Sequence, residues 1–266
     1  MEHKKDTLAE TPEKKEKPNL SKDVIIKNIH VKGGNLRVLE KDSVQNKIYV
    51  SLKEFDLFEV QISDKTLEGF LPFEYDKMKI SSDSIFYAMN DEHHLAVKNM
   101  EIVDGDITLN DLLIIPKFSK AEFDRRISVE KDRFELEIER VDITGLKWDF
   151  GQDSIQFKSP FIEIDQADLK VYRNKLLPDD TSIKPLYGRM IREMSTKIKF
   201  DSIQLKNSRI VYEEKTDASR PPGKLNFSEV NASLENITNI GMNSADFPET
   251  KIKISALLME KSPLIV

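Results

Sequence analysis

A spacing of apolar residues constrains this chain more than any single motif does. Four times the sequence runs apolar, gap of one, apolar, gap of two, apolar, gap of one, apolar, gap of four, apolar, gap of one, apolar. The first copy is Val24, Ile26, Ile29, Val31, Leu36, Val38, and the second is Leu95, Val97, Met100, Ile102, Ile107, Leu109. The third is Leu136, Ile138, Val141, Ile143, Trp148, Phe150, and the fourth is Ile198, Phe200, Ile203, Leu205, Ile210, Tyr212. With 39% of residues apolar, six such positions all fill by chance about 0.4% of the time. Single gaps put successive apolar residues on one strand face. A gap of two flips the face unless a β-bulge absorbs the extra residue, and a bulge repeated in every copy adds twist and curvature. The gaps of four hold Lys32-Gly33-Gly34-Asn35, Val103-Asp104-Gly105-Asp106, Thr144-Gly145-Leu146-Lys147 and Lys206-Asn207-Ser208-Arg209, which read as hairpin loops.

The copies begin 71, 41 and 62 residues apart, too irregular for a β-helix or propeller but tolerable in a meander. The prediction is a mainly β protein: an elongated, curved antiparallel sheet of long bulged strands. Helical periodicity is confined to residues 185–196. There Leu186, Tyr187, Met190, Ile191 and Met194 share one arc of about 140°, with Arg189 and Arg192 opposite. That short amphipathic helix is expected to lay its apolar stripe on the sheet or plug a groove end. Residues 1–22, charged and poor in large apolar groups, read as a disordered linker, and residues 23–266 as one repeating segment. Strand-like alternation in Lys251–Ala256 and the apolar ending Pro263–Val266 suggest a segment cut from a longer polypeptide.

Several function classes fall away. The 41 basic and 47 acidic residues intermingle to a net charge of −6, with no basic face for nucleic acid. Without cysteine there is no disulfide, thiolate metal site or thiol nucleophile. No apolar run approaches the roughly 20 residues of a membrane-spanning helix. His93 and His94 follow Asp91 and Glu92, but adjacent strand residues face opposite ways, so the cluster reads as a solvated loop. His30 has no partner at ligand spacing, and Asp104-Gly105-Asp106 with Asp111 reads as a turn rather than a calcium loop. The triplets beginning at Asn226, Asn231 and Asn236 are formal glycosylation sequons that arise freely on a polar strand face. No phosphate loop, nucleophile elbow or metalloprotease motif is present, so neither an enzyme, a cofactor nor a metal is expected.

An open sheet with one apolar face needs something to cover it. Lipid acyl chains suit it, since keeping about 15 methylenes from water is worth roughly 12 kcal/mol. The candidate lining is Ile26, Ile29, Val31, Val97, Met100, Ile102, Ile138, Val141, Ile143, Trp148, Phe150, Phe200, Ile203, Leu205, Ile210 and Tyr212. The alternative is a structural or scaffold β-domain that closes the face on itself and binds a protein partner.

The order of motifs between about residues 115 and 239 resembles the AsmA-like proteins of bacterial envelopes, among the repeating β-groove lipid-transfer proteins. The likeness begins with Leu113–Lys120, then Ile164–Tyr172 leading into Arg173–Pro178. It continues through Ile198–Ile203, Ile210–Glu214, the loop with Pro221, Pro222 and Gly223, Leu225–Phe227 and Asn236–Thr238. Leu257–Leu264 is similar to the strand and turn that follow in such proteins. The resemblance implies a periplasmic protein anchored in the inner membrane through a segment not seen in this sequence. It also implies contact with phospholipid acyl chains and envelope-assembly proteins, and a part in phospholipid transport or outer-membrane biogenesis. It carries no catalytic residues.

Overall fold

The alternating segments become strands because every second side chain meets an apolar neighbour across the ladder. In the computed structural model, residues 20, 22–41, 45–68, 71–150, 155–182, 186–242, 244 and 247–265 are described. The expected linker therefore lies outside the described residues except at Leu20 and Lys22. The strands are β1 (Val24–Leu39), β2 (Asn46–Ile62), β3 (Lys77–Tyr87), β4 (His93–Val103), β5 (Asp106–Pro116) and β6 (Arg133–Thr144). They continue as β7 (Lys147–Phe150), β8 (Ile155–Asn174), β9 (Lys197–Lys215), β10 (Gly223–Thr238), β11 (Lys251–Leu258) and β12 (Ser262–Ile265). All belong to one 12-stranded sheet in chain order from β1 to β12, with β7 set beside β8 as a continuation of β6. The sheet is open and curled, and every substantial contact between strands is between sheet neighbours. Among the described residues no second layer covers it, and only Phe73 and Tyr75 of the β2–β3 connection are found packed on the apolar cluster around Leu57 and Val60 from outside the sheet and its turns.

The antiparallel expectation needs one correction. β8 and β9 pair in parallel, Ile162 beside Ile203 and Leu169 beside Ile210. A parallel pair requires a crossover rather than a tight turn, and residues 175–196 supply it.

The gap of two has a more specific origin than a bulge in one strand. Val97 pairs Leu112 and Asn99 pairs Asn110, so Lys98 and Asp111 are skipped and the register resumes unchanged. Neighbouring strands thus take the two-residue step together. Asp111 sits at φ 52°, and the same line crosses the sheet through Gln166 (φ 55°), Asn207 (φ 51°) and Glu229 (φ 50°). A left-handed residue inside an extended strand restores the apolar side chains to the original face. A second line runs through Gly145 (φ 56°) and Asn236 (φ 60°). β2 has the matching pattern Phe55, Leu57, Val60, Ile62 against Val31, Ile29, Ile26 and Val24 of β1, with Glu59 left-handed at φ 50°.

These steps overturn three of the four expected hairpins. Lys32–Asn35 and Lys206–Arg209 lie inside the continuous strands β1 and β9. Thr144–Lys147 only interrupts the run from β6 into β7, both along β8 in one register. In each, the gap of four is a second two-residue step plus one lining position, occupied by Gly34, Ser208 or Leu146. The hairpin at Asp104-Gly105 stands, with both residues at positive φ (50° and 93°) as its tight turn requires. A Cβ on Gly105 would lie 2.9 Å from the Leu146 carbonyl oxygen.

Three short helices occur among the described residues: α1 (Asp64–Leu67), α2 (Lys120–Arg126) and α3 (Tyr187–Glu193). The amphipathic helix expected at 185–196 is α3, shorter than its pattern. Most of its described stripe is left uncovered: Leu186, Met190 and Met194 are exposed and Ile191 is half-buried. At its C-terminal end Asn239 Nδ2 donates to the helix carbonyl Ile191 O (3.1 Å) and to Thr196 O beyond the helix (2.9 Å). Asn239 Oδ1 in turn accepts from Ile198 N at 2.8 Å. Helix α2 is not expected from apolar periodicity, although Ser119-Lys120-Ala121-Glu122 spells a capping box that forms as such.

The reading of His93 as a solvated loop residue is also corrected. It opens β4, is 1% exposed, and stacks on Phe134 with ring centroids 4.1 Å apart. Its Nε2 lies 3.1 Å from Phe134 O. Burial pulls its pKa below the usual histidine value, against the carbonyl contact and Glu92.

Candidate functional site

The two faces of the sheet differ in chemistry. One is a polar surface of cross-strand ion pairs. Arg209 reaches Asp168 at 2.6 Å and Lys206 reaches Glu163 at 2.6 Å. Arg140 forks onto Asp142, which also accepts from Thr108 Oγ1 at 2.7 Å. The Arg140 hydrogen bonds hold the Asp142 carboxyl below the usual carboxylate range. α2 is tied to the end of β8 from the loop side, with Asp124 Oδ2 accepting from Tyr172 Oη (2.9 Å) and Asn174 Nδ2 (2.8 Å). Burial, then the Asp124 hydrogen bond, raises the Tyr172 pKa.

The other face is apolar and continuous. One cluster centres on Leu57, Val60, Met78, Ile102 and Ile107, and takes in Ile26, Ile29, Met100, Ile143 and Trp148. A second centres on Ile138, Val141, Ile162 and Ala167, and takes in Ile143, Phe200, Ile203 and Leu205. Leu109 and Ile143 belong to both, so the lining runs unbroken from β1 to β9. Residues such as Val141 (7% exposed) are covered by neighbours on the same curled face.

Twelve of the sixteen candidates from the spacing meet in these clusters: Ile26, Ile29, Met100, Ile102, Ile138, Val141, Ile143, Trp148, Phe200, Ile203 and Leu205 directly, and Val97 as a buried residue beside Leu112. Ile210 is half-buried on β9 next to Leu169, and Tyr212 turns its hydroxyl to Glu214 at 2.8 Å. Val31 is exposed. Phe150 belongs to β7, and its side chain lies outside the described residues.

Further residues outside the six-position spacing line the same face, among them Leu112 and Ile114 of β5 and the apolar positions of β8. Ile107, Leu109, Leu112, Ile114 on β5 and Ile162, Ile164, Ala167, Leu169 on β8 share the spacing one, two, one. The same short spacing recurs in Val50, Leu52, Phe55, Leu57 of β2 and Leu225, Phe227, Val230, Ala232 of β10.

Apolar exposure grows toward both sheet ends. Leu36 on β1 is 59% exposed and Ile252 on β11 is 53% exposed, whereas Ile138 and Val141 on β6 are 8% and 7% exposed. Near the β12 end, Leu205, Ala232, Ile254 and Ile265 line a depression of about 460 Å³ together with polar neighbours. Among the described residues no helix is long and apolar enough to cross a membrane.

Compared with protein-family models, with curated proteins and with solved structures, the chain matches none.

Proposed function

We propose that this chain is a non-enzymatic segment that shelters lipid acyl chains along its apolar face, in support of phospholipid transport or outer-membrane biogenesis. One observation carries the reading: an open 12-stranded sheet keeps a single apolar face across at least eight strands, with no second layer over it among the described residues. A face of this kind, left to water, forfeits about 25 cal/mol for each Å² of apolar surface. Acyl chains lie along such a trough without needing hydrogen bonds, and head groups stay at its open side. The likeness to AsmA-like proteins supports a periplasmic setting, with an inner-membrane anchor and envelope-assembly partners supplied outside this sequence.

The test is native mass spectrometry with lipid extraction on the full chain purified from a bacterial host. Ile203 and Leu205 pack in the central cluster, so substitution there mixes stability with binding. Leu36→Glu and Ile252→Glu change exposed lining positions and leave the packed centre intact. Stoichiometric phospholipid, reduced in the double variant with an unchanged circular dichroism spectrum, is the expected result. A lipid-free, cooperatively folding monomer refutes the reading and returns the face to a structural role.

A further inference from the structure

The geometry points to a divalent transition-metal site on the polar face of the β1–β2 pair, formed by His30, Glu54 and Asp56. His30 stands directly across the ladder from Asp56, and Glu54 lies two residues along β2. Residues at i and i+2 of a strand share a face, so the three side chains converge by register alone. Their nearest ligand atoms all lie within 4.8 Å of one another, and the imidazole Nδ1 already contacts Asp56 Oδ1. Around an ion with bonds of 2.0–2.2 Å, tetrahedral ligands sit about 3.4 Å apart. The approach still required is about 1.4 Å at most, within the reach of rotamer changes in side chains that are 51% (His30), 32% (Glu54) and 15% (Asp56) exposed.

The donor set decides the ion. One imidazole nitrogen with two carboxylates suits zinc, cobalt or nickel, whereas calcium and magnesium prefer oxygen throughout. Three protein ligands leave at least one position to solvent. The Lys79 ammonium, 3.4 Å from Glu54, occupies part of the charge the ion would take, and Lys32 lies across the ladder from Glu54. Both hold the affinity down, and Lys79 must swing away on binding. A bound ion crosslinks β1, the outermost strand, to β2, independently of what the apolar face carries.

Zinc chloride alone, titrated into the full chain at pH 7.5 and followed by calorimetry, tests the site, with calcium chloride as the comparison. The expected result is one zinc per chain, weakened at least tenfold in His30→Ala and in Asp56→Asn, and tightened several-fold in Lys79→Ala. At about a hundredfold excess over Kd, the melting temperature of the parent chain rises by roughly 5–10 °C. His30, Asp56 and Lys79 are not in the apolar clusters, so their variants fold, and an unshifted melting temperature without zinc verifies it. Absence of saturable zinc binding overturns the inference. So does zinc binding that persists in His30→Ala, or calcium binding as tight as zinc.

Discussion

Glu229 tests the idea that left-handed residues carry the face switch. It sits in β10 at φ 50°, exposed, between Ser228 and the buried Val230, whose ladder is irregular at this point. A left-handed conformation costs a non-glycine residue about 1–2 kcal/mol. Glycine removes that cost but loses roughly 0.5–1 kcal/mol through the greater freedom of its unfolded chain. Glu229→Gly is therefore expected to stabilise the fold by about 0.5–1 kcal/mol, and Glu229→Val to destabilise it by about 1–2 kcal/mol. Glu235, exposed in the same strand and extended, is the control. There glycine brings only the entropic loss, so Glu235→Gly costs roughly 0.5–1 kcal/mol. Urea denaturation at constant m resolves the opposite signs as shifts in midpoint. A destabilising Glu229→Gly of the same size as Glu235→Gly refutes the reasoning, because it makes residue 229 an ordinary extended position.

Three further outcomes follow from the packing. Ile138→Ala, in the central cluster, is expected to cost about 2–5 kcal/mol by denaturant titration, while Leu225→Ala, 46% exposed, costs under about 1 kcal/mol. Equal costs mean the apolar face is covered evenly. Asn239→Ala strips partners from the buried Ile198 amide and from the Ile191 and Thr196 carbonyls, a loss of about 2–3 kcal/mol with faster amide exchange at Ile198. The lowered pKa of His93 means the unfolded chain takes up its proton first as pH falls. Its contribution to stability is intact above the unfolded pKa of about 6.5 and declines as pH drops through that value toward the lower folded one. His93→Phe should flatten the slope of stability against pH between about 6.5 and 5, and an unchanged slope assigns it to other groups.

Spacing alone shows most of the strands, the single apolar face and the two-residue step, because side-chain alternation is a property of each strand by itself. The strands β11 and β12 are legible at the sequence end for the same reason. The meaning of the gap of four is not legible locally. Lys32–Asn35 and Val103–Asp106 have similar turn chemistry, yet only the second turns. The first stays extended because β2 carries the complementary pattern Val50, Leu52, Phe55, Leu57 across from it. Helix α3 likewise has a clean stripe, but whether a stripe is covered depends on what stands opposite, and Leu186, Met190 and Met194 are left exposed. His93 is buried because Phe134 arrives from β6, 41 residues away, and His30 meets Glu54 and Asp56 because β2 folds back in a particular register. Pairing between strands distant in sequence decided those placements, including the parallel β8–β9 pair, since register is set by the partner strand and not by the segment that bears the residue.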